Sequence, residues 1–288
     1  MANPKIAVLG LGIMGNGIAT NYLKSGYEVY VWNRSKDKCL NVEALGATTV
    51  DSPKAVCENA DIIFDVTAND ESSKSIFFDE GILARATQNQ VLITCATLSI
   101  DYVNELSSAC EEKGLTFFDM PMTGSRIGAE SGNLTLLVGG EETKLSDLRQ
   151  HLEPIAGDVR YFGKAGNGMK FKLILNAIQA AHVIAFGQAM KQAKTVGLDL
   201  NTTAEFIAEK PGGYPTQMSS KAYFEPPSQT QFSVKWILKD LKYAKEMLNE
   251  NNFSESSLNV SILDASINVL QDAYDRGLGD LDWTVVNQ

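Results

Sequence analysis

The sequence is poor in histidine and cysteine, the side chains that histidine-based catalysis and many metal sites need. It has two histidines, His151 and His182, and four cysteines in 288 residues. The cysteines lack the spacing of metal ligands, and the chain shows no export signal, so we expect reduced thiols in a cytoplasmic protein. We interpret both histidines as structural and expect no metal site. The cysteines are Cys39, Cys57, Cys95 and Cys110.

The sequence also lacks an excess of positive charge and a long apolar run. A net charge of −10 argues against nucleic acid or an anionic membrane as a partner. An anionic ligand then needs local positive groups. No apolar run reaches the roughly 20 uninterrupted residues of a membrane span. Because an apolar strand begins within a few residues of Met1, we expect no signal peptide. With 44% apolar residues, the composition is that of a soluble globular protein.

The first informative stretch is an apolar run, Lys5–Leu9, that ends at a Gly-x-Gly-x-x-Gly pattern. Residues that favour helices follow up to about Lys24. This order predicts a buried strand, a tight turn and a helix whose first N–H groups face a dinucleotide pyrophosphate. The residues expected to bind the cofactor here are Gly10, Gly12, Ile13, Met14 and Gly15.

A second apolar strand, Glu28–Trp32, ends at Asn33, Arg34 and Ser35. In dinucleotide folds an acidic residue near this position binds the adenosine 2′-hydroxyl, whereas an arginine suits a 2′-phosphate. Arg34 can pair with phosphate and stack on adenine. A solvated turn arginine is the simpler alternative. We predict that these three residues bind NADP(H), with NAD(H) as the alternative cofactor.

Strands and helices then alternate, with strands predicted at 61–66, 91–95 and 116–119. Short apolar runs between helices are typical of a parallel sheet that is covered on both faces. Ligands of such sheets bind beyond the carboxyl ends of the strands. We therefore expect Thr67, Ala68 and Thr97 beside the dinucleotide. Asp65, a carboxylate in an apolar strand, has no explanation at this level.

A glycine-rich segment, Asp119–Leu134, precedes a further predicted strand at 135–138. Its glycines and hydroxyl groups predict a turn whose N–H groups bind an anion such as a carboxylate. A surface loop is the alternative. The predicted substrate-binding residues here are Thr123, Gly124 and Ser125. Arg126 has two interpretations, as a partner of an anionic substrate or as a solvated side chain.

The segment Gly163–Gly168 is predicted to be a hinge before one long helix at about 169–196. Lys172 and Asn176 lie four residues apart and share a face of this mostly apolar helix. Desolvation lowers the pKa of a lysine, which can then exchange the proton that accompanies hydride transfer. The alternative is a lysine that extends to solvent, beside an asparagine that fills a packing gap.

In the remainder of the chain the sequence pattern predicts helices at 201–207, 236–249 and 259–276. It predicts loops at Lys210–Pro215 and Phe224–Ser228. The fold class is therefore α/β in its first part. A Rossmann-type doubly wound sheet over residues 1–163 is followed by an all-α domain over 164–288, and a long interdomain helix joins them.

Three separated motifs resemble the β-hydroxyacid dehydrogenase family in order and spacing. They are the opening glycine pattern, Asp119–Gly132 and Gly166–Lys172. The family includes 3-hydroxyisobutyrate dehydrogenase and the glyoxylate/succinic semialdehyde reductases, and the resemblance covers nearly the whole chain. It implies that Lys172 is the catalytic lysine, that Asn176 is its accompanying amide, and that both contact the substrate.

The resemblance extends to Phe232–Leu241 and to a helical C-terminal domain of the 6-phosphogluconate dehydrogenase type. It implies that Lys239 approaches the cofactor. An ordinary surface lysine beside a neighbour such as Tyr243 is the alternative. The family often has an asparagine where Leu175 stands, a difference that affects no residue essential to the prediction.

The sequence thus predicts an NADP(H)-dependent oxidoreductase with Lys172 as proton donor and acceptor. It would interconvert a short β-hydroxyacid and its semialdehyde or oxo acid, of the glyoxylate, succinic semialdehyde or 3-hydroxyisobutyrate type. An imine reductase on the same scaffold and a non-catalytic dinucleotide-binding sensor are the alternatives. We expect a small carboxylic acid as substrate and a homodimer or homotetramer in the cytoplasm.

Overall fold

Short apolar runs separated by helices build a nine-stranded sheet in the first part of the chain. The computed structural model describes residues 3–209, 213–250 and 259–288. The chain forms two compact units, Met1–Lys172 and Leu173–Gln288. The strands are β1 (Ile6–Leu9), β2 (Val29–Trp32), β3 (Thr48–Thr49), β4 (Ile62–Asp65), β5 (Val91–Thr94), β6 (Thr116–Asp119), β7 (Met122–Thr123), β8 (Leu134–Gly140) and β9 (Ala156–Tyr161).

The helices of the first unit connect these strands. They are α1 (Ile13–Lys24), α2 (Leu40–Glu43), α3 (Asp70–Lys74), α4 (Ile82–Arg85), α5 (Ile100–Glu112), α6 (Ser125–Ser131) and α7 (Glu142–Leu152). The strand order is β3-β2-β1-β4-β5-β6-β8-β7, and β9 pairs with β8. Strands β1 to β6 pair in parallel, in the order of a dinucleotide-binding sheet. The predicted Rossmann-type doubly wound sheet is confirmed.

The register of the parallel strands brings their carboxyl ends level. Leu9 pairs with Trp32 on one side and with Asp65 on the other. Asp65 pairs with Thr94, and Thr94 pairs with Asp119. The segments that follow these residues therefore leave the sheet at one edge, where doubly wound folds bind their ligands.

The segment predicted as a turn or loop after β6 is more regular than expected. It contains the short strand β7 and the helix α6. The segment is therefore not the surface loop that was the alternative interpretation, and anion binding by its N–H groups stays a prediction. A seven-residue helix is marginal alone, and it forms here because it packs on α1. A Cβ on Gly17 would lie 2.6 Å from the carbonyl oxygen of Ala129, so the two backbones are in contact.

The second unit is helical in its described residues. Its elements are the remainder of α8 (Asn167–Thr195), then α9 (Leu200–Glu209), α10 (Gly213–Phe224), α11 (Val234–Glu250) and α12 (Asn259–Ala273). Two further helical turns, Tyr274–Leu278 and Trp283–Asn287, end the chain. An isolated bridge joins Ser233 to Asp282. The predicted all-α C-terminal region is confirmed.

Helix α10 corrects part of a predicted loop. We expected a loop over Lys210–Pro215, but Gly213 already begins a helix. Pro215 is tolerated there because the first turn of a helix needs no internal N–H partner at that position. Residues 210–212 of the same prediction lie outside the described residues. The predicted loop after Phe224 agrees with the end of α10.

Helix α8 is apolar over most of its circumference, as the sequence indicates. Ile174 and Ile178 are 54% and 55% exposed, so part of its apolar face contacts solvent in the single chain. Within the described residues it is the one helix long and apolar enough to cross a membrane by length and composition. Core helices of soluble proteins pass the same test, so this finding is weak evidence that α8 spans a membrane.

Candidate active site

The turn between β1 and α1 admits only glycine at two positions and is open at a third. A Cβ on Gly15 would lie 1.9 Å from the carbonyl oxygen of Gly10, and one on Gly10 would lie 2.7 Å from that of Val66. Gly10 also has a φ of 97°, which favours glycine. A Cβ on Gly12 would meet nothing within 4 Å. A ligand can therefore approach the backbone at Gly12.

The first turn of α1 has the character of an anion site. Gly12 is the N-cap and provides no side-chain hydrogen bond to the helix. Ile13 is 37% exposed, and Met14 is partly exposed. The first N–H groups of a helix lack partners within it, and the helix dipole places partial positive charge there. The residues present therefore fit the pyrophosphate of a dinucleotide.

Asn33 links the end of β2 to this turn. Its Oδ1 accepts the backbone N–H of Leu11 at 2.9 Å, and its Nδ2 donates to the carbonyl oxygen of Ser35 at 2.8 Å. The side chain therefore shapes the turn from within the protein. Arg34 and Ser35 are exposed. Arg34 enters no salt bridge with the described part of the chain, whereas Lys36 lies 3.3 Å from Asp51.

Asp65, at the end of β4, accepts hydrogen bonds from three neighbouring groups. Its Oδ1 accepts the N–H of Thr67 at 2.9 Å, and its Oδ2 accepts the hydroxyls of Ser73 and Thr94 at 2.6 and 2.9 Å. Burial raises the pKa of Asp65, and the hydrogen bond from Ser73 opposes this increase. The buried carboxyl thus holds the backbone at the start of the loop predicted to bind the dinucleotide, which accounts for a residue that the sequence left unexplained.

The other predicted ligand-binding residues follow the same sheet edge. Thr67 and Thr97 are half-buried, and Ala68 is exposed. Thr123 lies in β7, where it pairs with Thr135 of β8, and Gly124 and Ser125 follow it into α6. Their assignment to cofactor and substrate stays a prediction. The edge brings them to the same side of the sheet as the glycine turn.

Asp119, at the end of β6, caps the long helix α8. Its Oδ1 and Oδ2 accept the N–H groups of Gly166 and Met169, each at 2.7 Å. The carboxyl is fully buried, and burial raises its pKa to about 7, while these two N–H groups act in the opposite direction. Lys172 lies one turn beyond Met169. Asp119 therefore fixes the helix end that carries the predicted catalytic lysine, a role that the sequence did not reveal.

Lys172 and Asn176 are both buried, with 9% and 1% exposure. The Nδ2 atom of Asn176 donates to Oδ2 of Asp240 at 2.7 Å. Asp240 is 1% exposed, and its Oδ1 lies 3.0 Å from Nζ of Lys239. Asp240 thus orients the predicted catalytic amide. The sequence showed it only as a neighbour of Lys239, although an acid on the buried face of an amphipathic helix needs a partner.

Lys239 lies beside Tyr243, as one interpretation of the sequence expected, but it is mostly buried. Its Nζ lies 5.2 Å from the ring centroid of Tyr243 and 5.8 Å from that of Trp236. Its side chain is 16% exposed, so it is not an ordinary surface lysine. Contact with a cofactor stays a prediction.

Metal-assisted chemistry has no candidate site in residues 3–209, 213–250 and 259–288, where no group of three His, Cys, Asp or Glu side chains could hold an ion. His151 contacts the hydroxyl of Tyr27 through Nδ1 at 3.2 Å, as a structural histidine does.

The glycine turn leads to a paired prediction. Gly12→Ala is expected to leave the free energy of unfolding within about 0.5 kcal/mol of wild type, because the added methyl group enters open space. It should weaken NADPH binding by roughly tenfold or more, because the methyl group blocks the pyrophosphate. Gly15→Ala should instead destabilise the fold by about 1–3 kcal/mol. Urea denaturation and fluorescence titration measure both, and equal stability losses in the two variants would contradict this assignment.

The carboxyl of Asp119 leads to a prediction about pH. Its folded pKa of about 7 lies above the usual value for an unfolded aspartate, so the native state holds the proton more tightly. The resulting stabilisation is fully present below about pH 4 and is lost as pH rises through about 7. The unfolding free energy of wild type minus that of Asp119→Asn should therefore fall on the order of 3 kcal/mol across this range. Urea titrations at several pH values test it, and a constant difference would refute it.

Both parts of the chain match known families. Residues 5–163 match the model described as the NAD binding domain of 6-phosphogluconate dehydrogenase. Residues 166–284 match the one described as NAD-binding of NADP-dependent 3-hydroxyisobutyrate dehydrogenase. The second match begins beside the cap at Asp119, at Gly166, and includes Lys172, Asn176 and Asp240.

Individual relatives agree with these matches. Glyoxylate/succinic semialdehyde reductase 1 of Arabidopsis thaliana is 28% identical, and the match covers 98% of this chain and 96% of the relative. The mitochondrial 3-hydroxyisobutyrate dehydrogenase of Drosophila melanogaster is 29% identical, with 98% and 87% covered. The structure of Mycobacterium tuberculosis 3-hydroxyisobutyrate dehydrogenase with L-serine has a TM-score of 0.88 at 24% identity, covering 100% of this chain and 98% of that one. At this identity the structural likeness shows the shared fold.

Proposed function

The chain belongs to the β-hydroxyacid dehydrogenase family, and from this premise we propose an NADP(H)-dependent enzyme that interconverts a short β-hydroxyacid and its semialdehyde or oxo acid. The chain is a NAD(P)-dependent β-hydroxyacid dehydrogenase. The substrate types that we propose are the β-hydroxyacid 3-hydroxyisobutyrate and the short aldehyde acids glyoxylate and succinic semialdehyde.

The observation that carries this proposal is the buried pair Lys172 and Asn176 on one face of α8. A lysine and an amide at 9% and 1% exposure cost free energy unless polar partners compensate them. Asp240 supplies one such partner to Asn176. A buried lysine one helical turn from a buried amide that Asp240 orients suits the handling of a proton on a substrate oxygen.

We propose the following catalytic and binding roles for residues of the chain. A bound nicotinamide dinucleotide supplies or accepts the hydride. Lys172 donates a proton to the carbonyl oxygen in reduction and accepts one from the hydroxyl in oxidation. The amide nitrogen of Asn176 carries two N–H bonds, so one can bind Asp240 and the second the same substrate oxygen. Thr123, Gly124 and Ser125 bind the carboxylate.

We assign the preference for NADP(H) to Arg34. It is exposed at the end of β2, where the second strand of a dinucleotide fold meets the adenosine ribose. No carboxylate follows this strand at Asn33 or Ser35 to accept a 2′-hydroxyl. A guanidinium pairs with phosphate through two parallel hydrogen bonds.

The role of Lys172 is tested by Lys172→Met. The variant should lose roughly 10²- to 10⁴-fold in kcat, because general acid–base catalysis contributes about that much. Its Kd for NADPH should stay within about twofold of wild type. Lys170→Met is the matched control, since Lys170 lies on the same helix, is partly exposed and contacts Asn167 at 3.4 Å. Near-full turnover by Lys172→Met would remove this lysine from the mechanism.

The substrate class is tested by turnover of NADPH and NADH with a panel of C2 to C5 aldehyde acids. Activity with a short aldehyde acid supports the proposal. Consumption of NADPH only with a ketone and an amine together would identify an imine reductase. Tight NADPH binding without turnover on either panel would identify a non-catalytic binding protein.

The cofactor assignment is tested by Arg34→Ala. The Kd for NADPH should rise roughly 10- to 100-fold, because a charge-assisted hydrogen-bond pair is lost. The Kd for NADH serves as the internal control and should change little, since NADH has no 2′-phosphate. A parallel change in both constants would show that Arg34 does not recognise the 2′-phosphate.

Two expectations from the sequence stay proposals. The exposed apolar residues of α8 are compatible with the homodimer or homotetramer that we propose. A cytoplasmic location is proposed from the reduced cysteines, which are free in the structure.

A further inference from the structure

Arg126 carries a guanidinium that the described protein groups satisfy only in part. Its side chain is 25% exposed, and its Nε atom is buried with no hydrogen-bond partner among the described residues. Its Nη1 contacts Oε1 of Glu130 at 3.4 Å, and the side chain of Glu130 is 60% exposed. A guanidinium has five N–H donors in one plane. Among the described residues, the exposed Glu130 carboxylate is the one group that contacts this guanidinium, and such an exposed pair contributes little.

The position of Arg126 follows from the packing of α6 on α1. Gly17 of α1 contacts the backbone of Ala129, and one turn later Asn21 donates to the carbonyl oxygen of Ala129 at 2.7 Å. A Cβ on Gly132 would approach Asn21 to 3.5 Å. Later turns of α1 thus meet later turns of α6, so the two helices run in the same general direction. Their first turns therefore lie at the same end.

This end is the one at which α1 begins after the glycine turn. Arg126 precedes Ala129 by nearly one turn, and Ile13 precedes Gly17 by about one turn. Arg126 therefore lies in the first turn of α6, on the side of the sheet where the pyrophosphate and the substrate are proposed to bind, and its described contact with Glu130 is long enough to be exchanged for a ligand. With a net charge of −10, an anion in this region depends on local cations.

The backbone before Arg126 supports a binding role. Gly124 has a φ of 126°. Ser125 has a φ of 55° and is the one non-glycine residue with positive φ in the described part of the chain. A left-handed serine costs free energy and tends to occur where the surroundings impose the conformation, often at ligand sites. Gly124 and Ser125, the two residues with positive φ, connect Thr123 to Arg126.

We propose that Arg126 binds an oxyanion of the ligands at this end of the two helices. The oxyanion is the carboxylate of the substrate or a phosphate of the dinucleotide, and a planar guanidinium can pair with two oxygens of either one. The inference rests on the proposed function, because that function places both anions here. It adds a side-chain cation to a substrate segment that otherwise offers hydroxyl and N–H groups.

The test compares Arg126→Met with Arg160→Met. Both remove one positive charge, but Arg160 is 67% exposed and pairs with Asp158 at 2.6 Å, in β9. If Arg126 binds the carboxylate, Arg126→Met should raise KM for the active aldehyde acid at least tenfold while the Kd for NADPH is unchanged. If it binds a phosphate, the Kd for NADPH should rise at least tenfold. Arg160→Met should change neither constant by more than about twofold.

A second variant and a binding measurement complete the test. Arg126→Lys should recover part of the lost affinity, because it restores the charge without the planar pair of donors. Calorimetric titration of the NADPH complex with succinate measures carboxylate binding without turnover. If wild type turns over no aldehyde acid, the proposed function fails, while succinate and NADPH affinities still report on Arg126. Wild-type values for Arg126→Met in KM, NADPH affinity and succinate affinity would overturn the proposal, even if its thermal stability fell.

Discussion

The two hydrogen bonds between Asp119 and the start of α8 are the constraint on which the candidate site depends. They join the carboxyl end of β6 to the helix that carries Lys172, through N–H groups at Gly166 and Met169. A buried carboxylate is costly, and its two N–H partners offset that cost only while the helix begins at this point. The sheet thereby sets the starting position of α8. The lysine is placed by backbone geometry that starts at the sheet edge, whereas its amide neighbour is oriented by Asp240.

The parts of the fold that depend on local pattern could be predicted from the sequence. The strands of the parallel sheet appear as short apolar runs, and the first glycine pattern requires a close backbone turn, as the contacts of Gly10 and Gly15 show. The parts that depend on tertiary contacts could not. Helix α6 is too short to give a recognisable sequence pattern, and it forms because it packs against Gly17. Helix α10 begins with a glycine and a proline, which are also typical of loops.

The candidate site divides in the same way. Lys172 and Asn176 could be predicted from the sequence, because their helical spacing and the family resemblance both select them. The roles of the buried carboxylates that position this site could not be predicted, because a sequence does not show what a buried acid contacts. Asp65 and Asp119 each end a strand and bind backbone N–H groups, and Asp240 binds the amide of Asn176. Each acid is far in sequence from at least one group that it holds, so no local rule identifies it.

The contact between Gly17 and Ala129 has a consequence for how new substrates can be acquired. Because Gly17 lies directly against the backbone of Ala129 and Asn21 donates to the same carbonyl oxygen, α1 and α6 form one closely packed platform. Exchange of exposed side chains on this platform alters the chemistry offered to a ligand without altering the spacing between the helices. Substitution of residues such as Arg126 during evolution can therefore change which acids are bound. The distance between the glycine turn at the start of α1 and the first turn of α6 stays the same.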